Sequence, residues 1–318
     1  MYHEHHFRSM NTDVGAWLWN DYPHIAQPAL LDVERFFRAA HARFTRFEAN
    51  SELSALIAAN GQPFSVSPQM FEVVELALKF STLTGGLFNP TIIGALEAAG
   101  YDRTFETVQA QPAESAAPTS SISPASAIKL DHAQRTITLP MDVRIDLGGI
   151  VKGWAVQQAT QQLAQSGPCL VDAGGDMRTI GLVPGTAHWS IDVVDPFDRE
   201  RDVMTLRLRD QSVATSGIDR RKWQGRDGVW RHHLIDPRTG RSSTSDVLTS
   251  TVIAPTTAEA EVYAKTVFLL GSEAGLQFVA DHPTLAACVV LTNGEAIMSE
   301  SMRAYLDVHF TYSSSPTL

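Results

Sequence analysis

The chain has 318 residues, 44% hydrophobic and 19% charged, with a formal net charge of -10. That length suffices to bury a sizeable core in one large domain or two modest ones, and the composition excludes a globally disordered chain. The acidic balance and the lack of a basic run argue against a nucleic-acid partner, because phosphate backbones are held by clustered Lys and Arg. No apolar run is long enough to span a bilayer. The segment Met1 to Arg8 is polar and has no signal-peptide core, so the cytoplasm is the expected compartment. Cys169 and Cys288 lie in apolar, strand-like runs and are expected as buried free thiols. His3, His5 and His6 crowd a terminal segment, which argues against reading them as a metal site.

In chain order, Val33, Phe36, Phe37, Ala40 and Phe44 share one face and predict a helix over 28–45, with Pro28 in its first turn. A second helix is predicted over 68–83, capped by Ser67 and closed by Gly85-Gly86. Residues 107–126 form a Pro, Ala and Ser tract expected as a solvated loop. A strand through Val143 and Ile145 is expected to run into Gly148-Gly149 and a helix over 150–165, followed by a strand from Cys169 to the Gly174-Gly175 pair. Met204, Leu206 and Leu208 alternate with Thr205, Arg207 and Arg209, as in a half-buried strand. Thr256 and Glu259 have capping-box spacing at the head of a helix reaching Leu270. Strands over 286–291 and 296–299 flank Asn293-Gly294, a two-residue hairpin signal. Residues 311–318 are expected to fray. Hairpin-forming strands mixed with helices favour an α+β fold over a doubly wound parallel sheet.

Three strand ends carry polar or glycine-bearing turns: Asp146 to Gly153, Thr215-Ser216-Gly217, and His233 to Gly240. Together they suggest one cleft for a phosphate-bearing ligand. Gly148-Gly149 opens a helix whose first amides favour an anion, and Lys152 opposes the helix dipole there unless an anion lies nearby. The alternative is a plain tight turn with Lys152 in solvent. Gly174-Gly175 permits close approach by a ligand or by a neighbouring strand. His233 and Asp236 suit acid/base or metal chemistry, or else a turn-capping Asp beside a structural His. No Ser or Cys sits in a nucleophile elbow, which argues against a hydrolase triad. Glu261 and Lys265 stand one turn apart, either as a surface ion pair or, in a cleft, as a hard oxygen ligand and a charge near phosphate.

Eight segments occur in a familiar order: Ser9 to Asp13, Asn50 to Ser54, Gly86 to Thr91, Ile145 to Gly153, Val171 to Arg178, Ala214 to Gly217, His233 to Gly240 and Ala260 to Gly271. Over nearly the whole chain this set resembles the ApbE family, the FAD:protein FMN transferases. The resemblance implies one α+β, T-fold-like domain over 1–318, with mixed, largely antiparallel sheets and helices around a central FAD cleft. It also implies cleavage of the FAD diphosphate, attachment of FMN to a Ser or Thr of an acceptor protein, release of AMP, and help from magnesium. Matched residue by residue, Met10, Phe88, Asn89, Thr91, Asp146, Lys152, Thr215, Ser216, Gly217, His233 and Ile235 would bind the cofactor. His233, Lys265 and Asp146 would serve catalysis, and Gly149, through its carbonyl, and Glu261 would face the metal. The chain departs from the family pattern at several of these positions. Ala-Asp-x-x-x-Thr becomes Ala260-Glu261 with Lys265, Phe-Asp-Pro-Thr becomes Phe88-Asn89-Pro90-Thr91, and Met-Gly-Thr has Asn11 in the glycine position. A charged Lys265 cannot ligate a cation and would replace part of its charge. A non-catalytic FAD-binding protein and an FAD pyrophosphatase are the alternative readings.

Overall fold

The computed structural model describes residues 1–110 and 122–307. The predicted tail at 311–318 and the middle of the predicted loop, 111–121, lie outside the described residues. Helices follow in the order α1 (Pro23–Phe44), α2 (Glu52–Ala58), α3 (Pro68–Leu83), α4 (Ile93–Ala98), α5 (Phe105–Ala110), α6 (Val151–Leu163), α7 (Thr257–Leu270) and α8 (Ser272–Ala280). The chain divides into two compact units. One comprises Met1–His41, Lys152–Asp219 and the described residues from Ser245 onward; the other comprises the described residues of Ala42–Val151 with Arg220–Thr244.

The first unit is built on an eight-stranded sheet. Its strands are β1 (Tyr2–Ser9), β2 (Thr12–Trp19), β3 (Cys169–Ala173), β4 (Asp176–Ile180), β5 (Ser212–Gly217), β6 (Val247–Ala254), β7 (Ala286–Leu291) and β8 (Ala296–Met298). They lie side by side in that order, every pair antiparallel. The α+β expectation, with antiparallel sheets, therefore holds. One face carries Leu170, Val213, Ile253, Ala286, Cys288 and Val290, covered by Trp189, Ile191, Met204, Leu206 and Leu208 of the hairpin Trp189–Val194/Asp202–Leu208. The predicted alternation over 204–208 is thus real, since Met204, Leu206 and Leu208 point inward.

Helix α7 packs on β5 and β6. Ser212 of β5 hydrogen-bonds Thr257 of α7 at 3.0 Å, so by strand alternation Ser216 shares that side, while Thr215 shares the side of Val213. Nearly the whole of α7 is buried, including Ala260, Val262, Ala264, Val267 and Phe268, the pattern of a helix with no solvent stripe. Cys169 and Cys288 are buried free thiols, as expected, and burial pushes both up to about 12. Among the described residues, no helix is long and apolar enough to cross a membrane.

In the second unit, Phe64–Ser65, Thr136–Thr138 and Lys129–Asp131 form a small sheet, with hairpins at Lys222–Gln224/Trp230–His232 and Ile235–Asp236/Arg241–Ser242. Its core gathers Ala95, Leu96, Ala99, Tyr101, Val108, Trp223 and Ile235.

Several expected boundaries move for identifiable reasons. Helix α1 begins at Pro23, not at Pro28, because Asn20 Oδ1 accepts the Tyr22 amide and the Tyr22 carbonyl accepts those of Ile25 and Ala26. Pro23 takes the first helical position, where a missing N–H costs nothing, and Pro28 falls inside the helix. Residues 107–110 continue α5, and Ala125–Ala127 form a 3₁₀ turn, so the described ends of the predicted loop are ordered. No strand runs through Val143 and Ile145; that segment pairs in no sheet. The hairpin at Asn293-Gly294 is longer than two residues. Gly294, at φ 87°, follows a turn in which its amide bonds the Leu291 carbonyl, and Leu291 N–H then bonds the Glu295 carbonyl, as in a turn closed by a glycine bulge.

The capping box at α7 is complete: Glu259 N–H donates to Thr256 Oγ1 at 3.2 Å and Thr256 N–H to Glu259 Oε2 at 3.1 Å. Thr256→Ala is expected to lower the stability of the folded chain by about 1 kcal/mol, read as a shift in the urea midpoint at unchanged slope.

Candidate functional site

In the first unit, Ser9 and Thr12 pair across a two-residue turn in which Met10 (φ 51°) and Asn11 (φ 57°) are both left-handed. That is the hairpin turn whose twist matches the strands. Asn tolerates the conformation, which explains how it fills the family's glycine position; Met does so at a cost of about 1–3 kcal/mol. Alongside lies a second turn of the same kind, Gly174 (φ 61°) and Gly175 (φ 95°) between β3 and β4. The neighbour that requires glycine at 174 is Thr12, whose Oγ1 would lie 2.1 Å from a Cβ at that position. The Gly174 amide bonds the Asp13 carbonyl at 3.1 Å.

Asp176 follows that turn and pairs with Lys152. The anion implied by a lysine in the first turn of α6 is thus an internal carboxylate, and Lys152 does not point into solvent. Gly153 brings α6 against α7: a Cβ there would sit 2.6 Å from the Thr257 carbonyl oxygen. Across that contact Gly153 N–H donates to Glu261 Oε2 at 2.7 Å, while Lys265 Nζ donates to Glu261 Oε1 at 3.0 Å. Glu261 is 1% exposed, so the pair is not on a helix surface. Burial alone would raise the Glu261 carboxyl, but Lys265, Lys152 and the Gly153 amide outweigh it and hold it below its ordinary value. Burial dominates at Asp176 and raises it to about 6 despite Lys152, with the charge of Glu261 adding to the rise. Thr215 is exposed and shares a 2.9 Å hydroxyl contact with Thr251, Ser216 is buried, and Gly217 ends β5 where a Cβ would meet Thr249 at 2.6 Å.

In the second unit, Asp146 N–H donates to the Pro90 carbonyl at 2.7 Å, which ties the 146–150 turn to the 88–91 segment. The Asp146 carboxylate accepts Gly148 N–H at 2.7 Å and pairs with Arg46 Nε at 2.7 Å. Arg46 itself lies over the rings of Phe47 and Tyr101. Asn89 Oδ1 accepts Thr91 N–H, and Asn89 Nδ2 donates to the Ser123 carbonyl at 3.1 Å. A carboxylate at position 89 could not make that second bond, so the Asp-to-Asn departure has a local reason. Phe88 is buried, and its amide donates to Thr84 Oγ1. Ile235 is a core residue. Gly149 lies in the turn just before α6.

The two adjacent histidines differ. His232 has both ring nitrogens engaged, Nε2 with the Ser243 carbonyl at 2.9 Å and Nδ1 with Leu234 N–H at 3.3 Å. Burial lowers its pKa, with the Ser243 carbonyl opposing. Half-buried His233 follows it, its carbonyl accepting Ile235 N–H. Asp236 caps the turn that follows, accepting Arg238 N–H and both Nε and Nη2 of that arginine, while Gly240 (φ 66°) closes the turn onto the Asp236 carbonyl. The turn-capping reading of Asp236 is the observed one.

The family model described as the ApbE family matches residues 10–289. The chain belongs to the ApbE family. It is 28% identical over 277 residues to the FAD:protein FMN transferase of Treponema pallidum, covering 81% of this chain and 76% of the relative. To the Vibrio cholerae protein of the same name it is 26% identical, covering 80% and 78%. The ApbE protein of Thermotoga maritima superposes with a TM-score of 0.85 at 24% identity, over 96% of this chain and 99% of that one. The flavin transferase ApbE of Vibrio cholerae gives 0.79 at 23% identity, over 96% and 100%. These likenesses fix an ApbE fold.

Whether Glu261 suits the magnesium ion that the ApbE resemblance implies is decided by its surroundings. Both carboxylate oxygens already accept hydrogen bonds, one from an ammonium. A divalent ion about 4 Å from that ammonium would be repelled by on the order of 8 kcal/mol at an effective dielectric constant of ~20. Among the described residues, no three His, Cys, Asp or Glu side chains are grouped to hold a metal. The donor set here does not fit a divalent cation. Sequence reasoning missed Asp176 and Arg46 as partners; the one available signal for Asp176 was the dipole-opposed Lys152, which demanded a counter-charge.

Two outcomes follow from this cluster. Lys265→Ala leaves Glu261 buried without its counter-charge and is expected to cost about 3–5 kcal/mol, whereas Glu261→Leu with Lys265→Leu restores most of that loss; urea denaturation of both variants checks it. The raised Asp176 means that the native state holds a proton the unfolded chain releases between its ordinary 3.8 and about 6. Its contribution to stability is therefore greatest below that window and declines as pH rises through it. In Asp176→Asn that downward component vanishes from the profile of urea midpoint against pH.

Proposed function

We propose that this chain is an FAD:protein FMN transferase, acting as one transferase domain over 1–318. The acceptor hydroxyl oxygen of a protein Ser or Thr forms a bond to the FMN-side phosphorus of FAD. The bond from that phosphorus to the bridging oxygen breaks, and AMP leaves with the electron pair. The hydroxyl proton passes to a base, and His233 is the residue proposed for that work, on the likeness of His233 to Gly240 to the ApbE pattern. The observation that carries the reading is the match of the ApbE family model over residues 10–289.

For FAD we propose Met10, Phe88, Asn89, Thr91, Asp146, Lys152, Thr215, Ser216, Gly217, His233 and Ile235, the positions matched to the ApbE pattern. Met10 is supported by its left-handed backbone, a strained conformation of the kind held at functional turns. Asp146 is proposed as an orienting carboxylate, fixed by Arg46 and the Gly148 amide. Gly149 and Glu261 were the metal positions implied by the resemblance; because the donors around Glu261 do not fit, no step is routed through a divalent ion. The cytoplasm is the proposed compartment, supported by two unpaired thiols. Nucleic acid is not a proposed partner, given a net charge of -10.

The test is incubation with FAD, with and without a Ser/Thr acceptor peptide, following AMP and peptide mass by mass spectrometry. AMP and flavin-bearing peptide should appear together. Free FMN without acceptor would instead mean a pyrophosphatase, and bound FAD with no AMP a binding protein. His233→Ala is expected to slow transfer by about 10²-fold at saturating FAD, a readout that separates proton transfer from its part in FAD binding.

A further inference from the structure

The quartet Lys152, Asp176, Glu261 and Lys265 has a polarity of its own. The carboxylate side chains are 2% exposed in both pairs, and the lysine side chains 18%. The carboxylates are thus the inner members of both pairs and the lysines the more exposed ones, the reverse of a cation site and the arrangement of an anion site. Among the described residues, Lys265 Nζ gives hydrogen bonds to Glu261 Oε1 at 3.0 Å and the Glu261 carbonyl at 3.3 Å, and Lys152 Nζ gives one to Asp176. Each ammonium has three donors. Next to Asp176, Gly175 borders open space, since a Cβ built there meets nothing within 4 Å.

We propose that Lys265 and Lys152, set by Glu261 and Asp176, receive the diphosphate of FAD directly, so that this chain binds the dinucleotide without a divalent cation. This rests on FAD being the substrate. Lys265 then stands where an ion would, with Glu261 positioning its ammonium.

Electron paramagnetic resonance of Mn2+ added to the full chain reads the cation site apart from turnover. Wild type is expected to leave the ion free, and Lys265→Thr to gain one bound equivalent. Fluorescence titration with FAD should give the same affinity for wild type in EDTA and in Mg2+. Lys265→Thr should bind about tenfold more weakly in EDTA, with Mg2+ restoring the loss. One Mn2+ equivalent on wild type that disappears in Glu261→Gln, or wild-type FAD affinity rising about tenfold or more with Mg2+, would overturn the proposal. The wild-type measurements decide the matter even if Lys265→Thr does not fold. Absence of FAD binding in both buffers would overturn the transferase reading and this proposal with it, whereas FAD binding that depends on Mg2+ would overturn this proposal alone.

Discussion

A carboxylate withdrawn from water must be met by charge and by hydrogen bonds, and much of the first unit is arranged to do this for Glu261. Helix α7 is buried on nearly every side, so the side chain has no route to solvent. The amide of Gly153 and the ammonium of Lys265 meet it from two elements. The first of these bonds requires α6 and α7 to approach at a residue without a Cβ. The same turn of α6 supplies Lys152 to Asp176, and Asp176 hangs from a glycine turn packed on Thr12. One electrostatic demand thus fixes the meeting of two helices, the first turn of α6 and two hairpin turns of the sheet.

The second unit answers a smaller demand in the same way. Asp146 is satisfied by Arg46 and by a backbone amide, and Arg46 is flanked by the rings of Phe47 and Tyr101. Asn89 in place of an acid leaves that unit one negative charge lighter and gains a bond to the Ser123 carbonyl. In both units, positions that depart from the ApbE pattern have partners suited to the residue present. They are locally consistent substitutions.

The parts legible in the sequence were those with short-range causes. Ser67 capping α3 and the Thr256–Glu259 box at α7 act within four residues, and both stand as expected. The alternation over 204–208 needed only a period of two. Pro28 misled because a proline in a helical pattern looks like a beginning, while the real start at Pro23 depended on the Asn20 side chain. An i,i+4 Glu–Lys pair reads the same on a surface as in a core, and only the packing of α7 on the sheet shows which it is. Asp176 and Arg46 were invisible as partners because their mates lie far along the chain, and no local pattern carries such a distance.

The sheet also constrains how the chain matures on the ribosome. Its strands lie in the order of synthesis, yet β3 is made long after β2, with most of the second unit translated between them, and β6 follows β5 only after the remainder of that unit. Joining strands across such spans carries a loop-closure penalty that grows only slowly with length, and compaction of the intervening stretch shortens the effective span. A nascent polypeptide can pair β1 with β2 early, but that hairpin keeps an unpartnered edge until β3 emerges. While that edge is open, it is a template for wrong pairing.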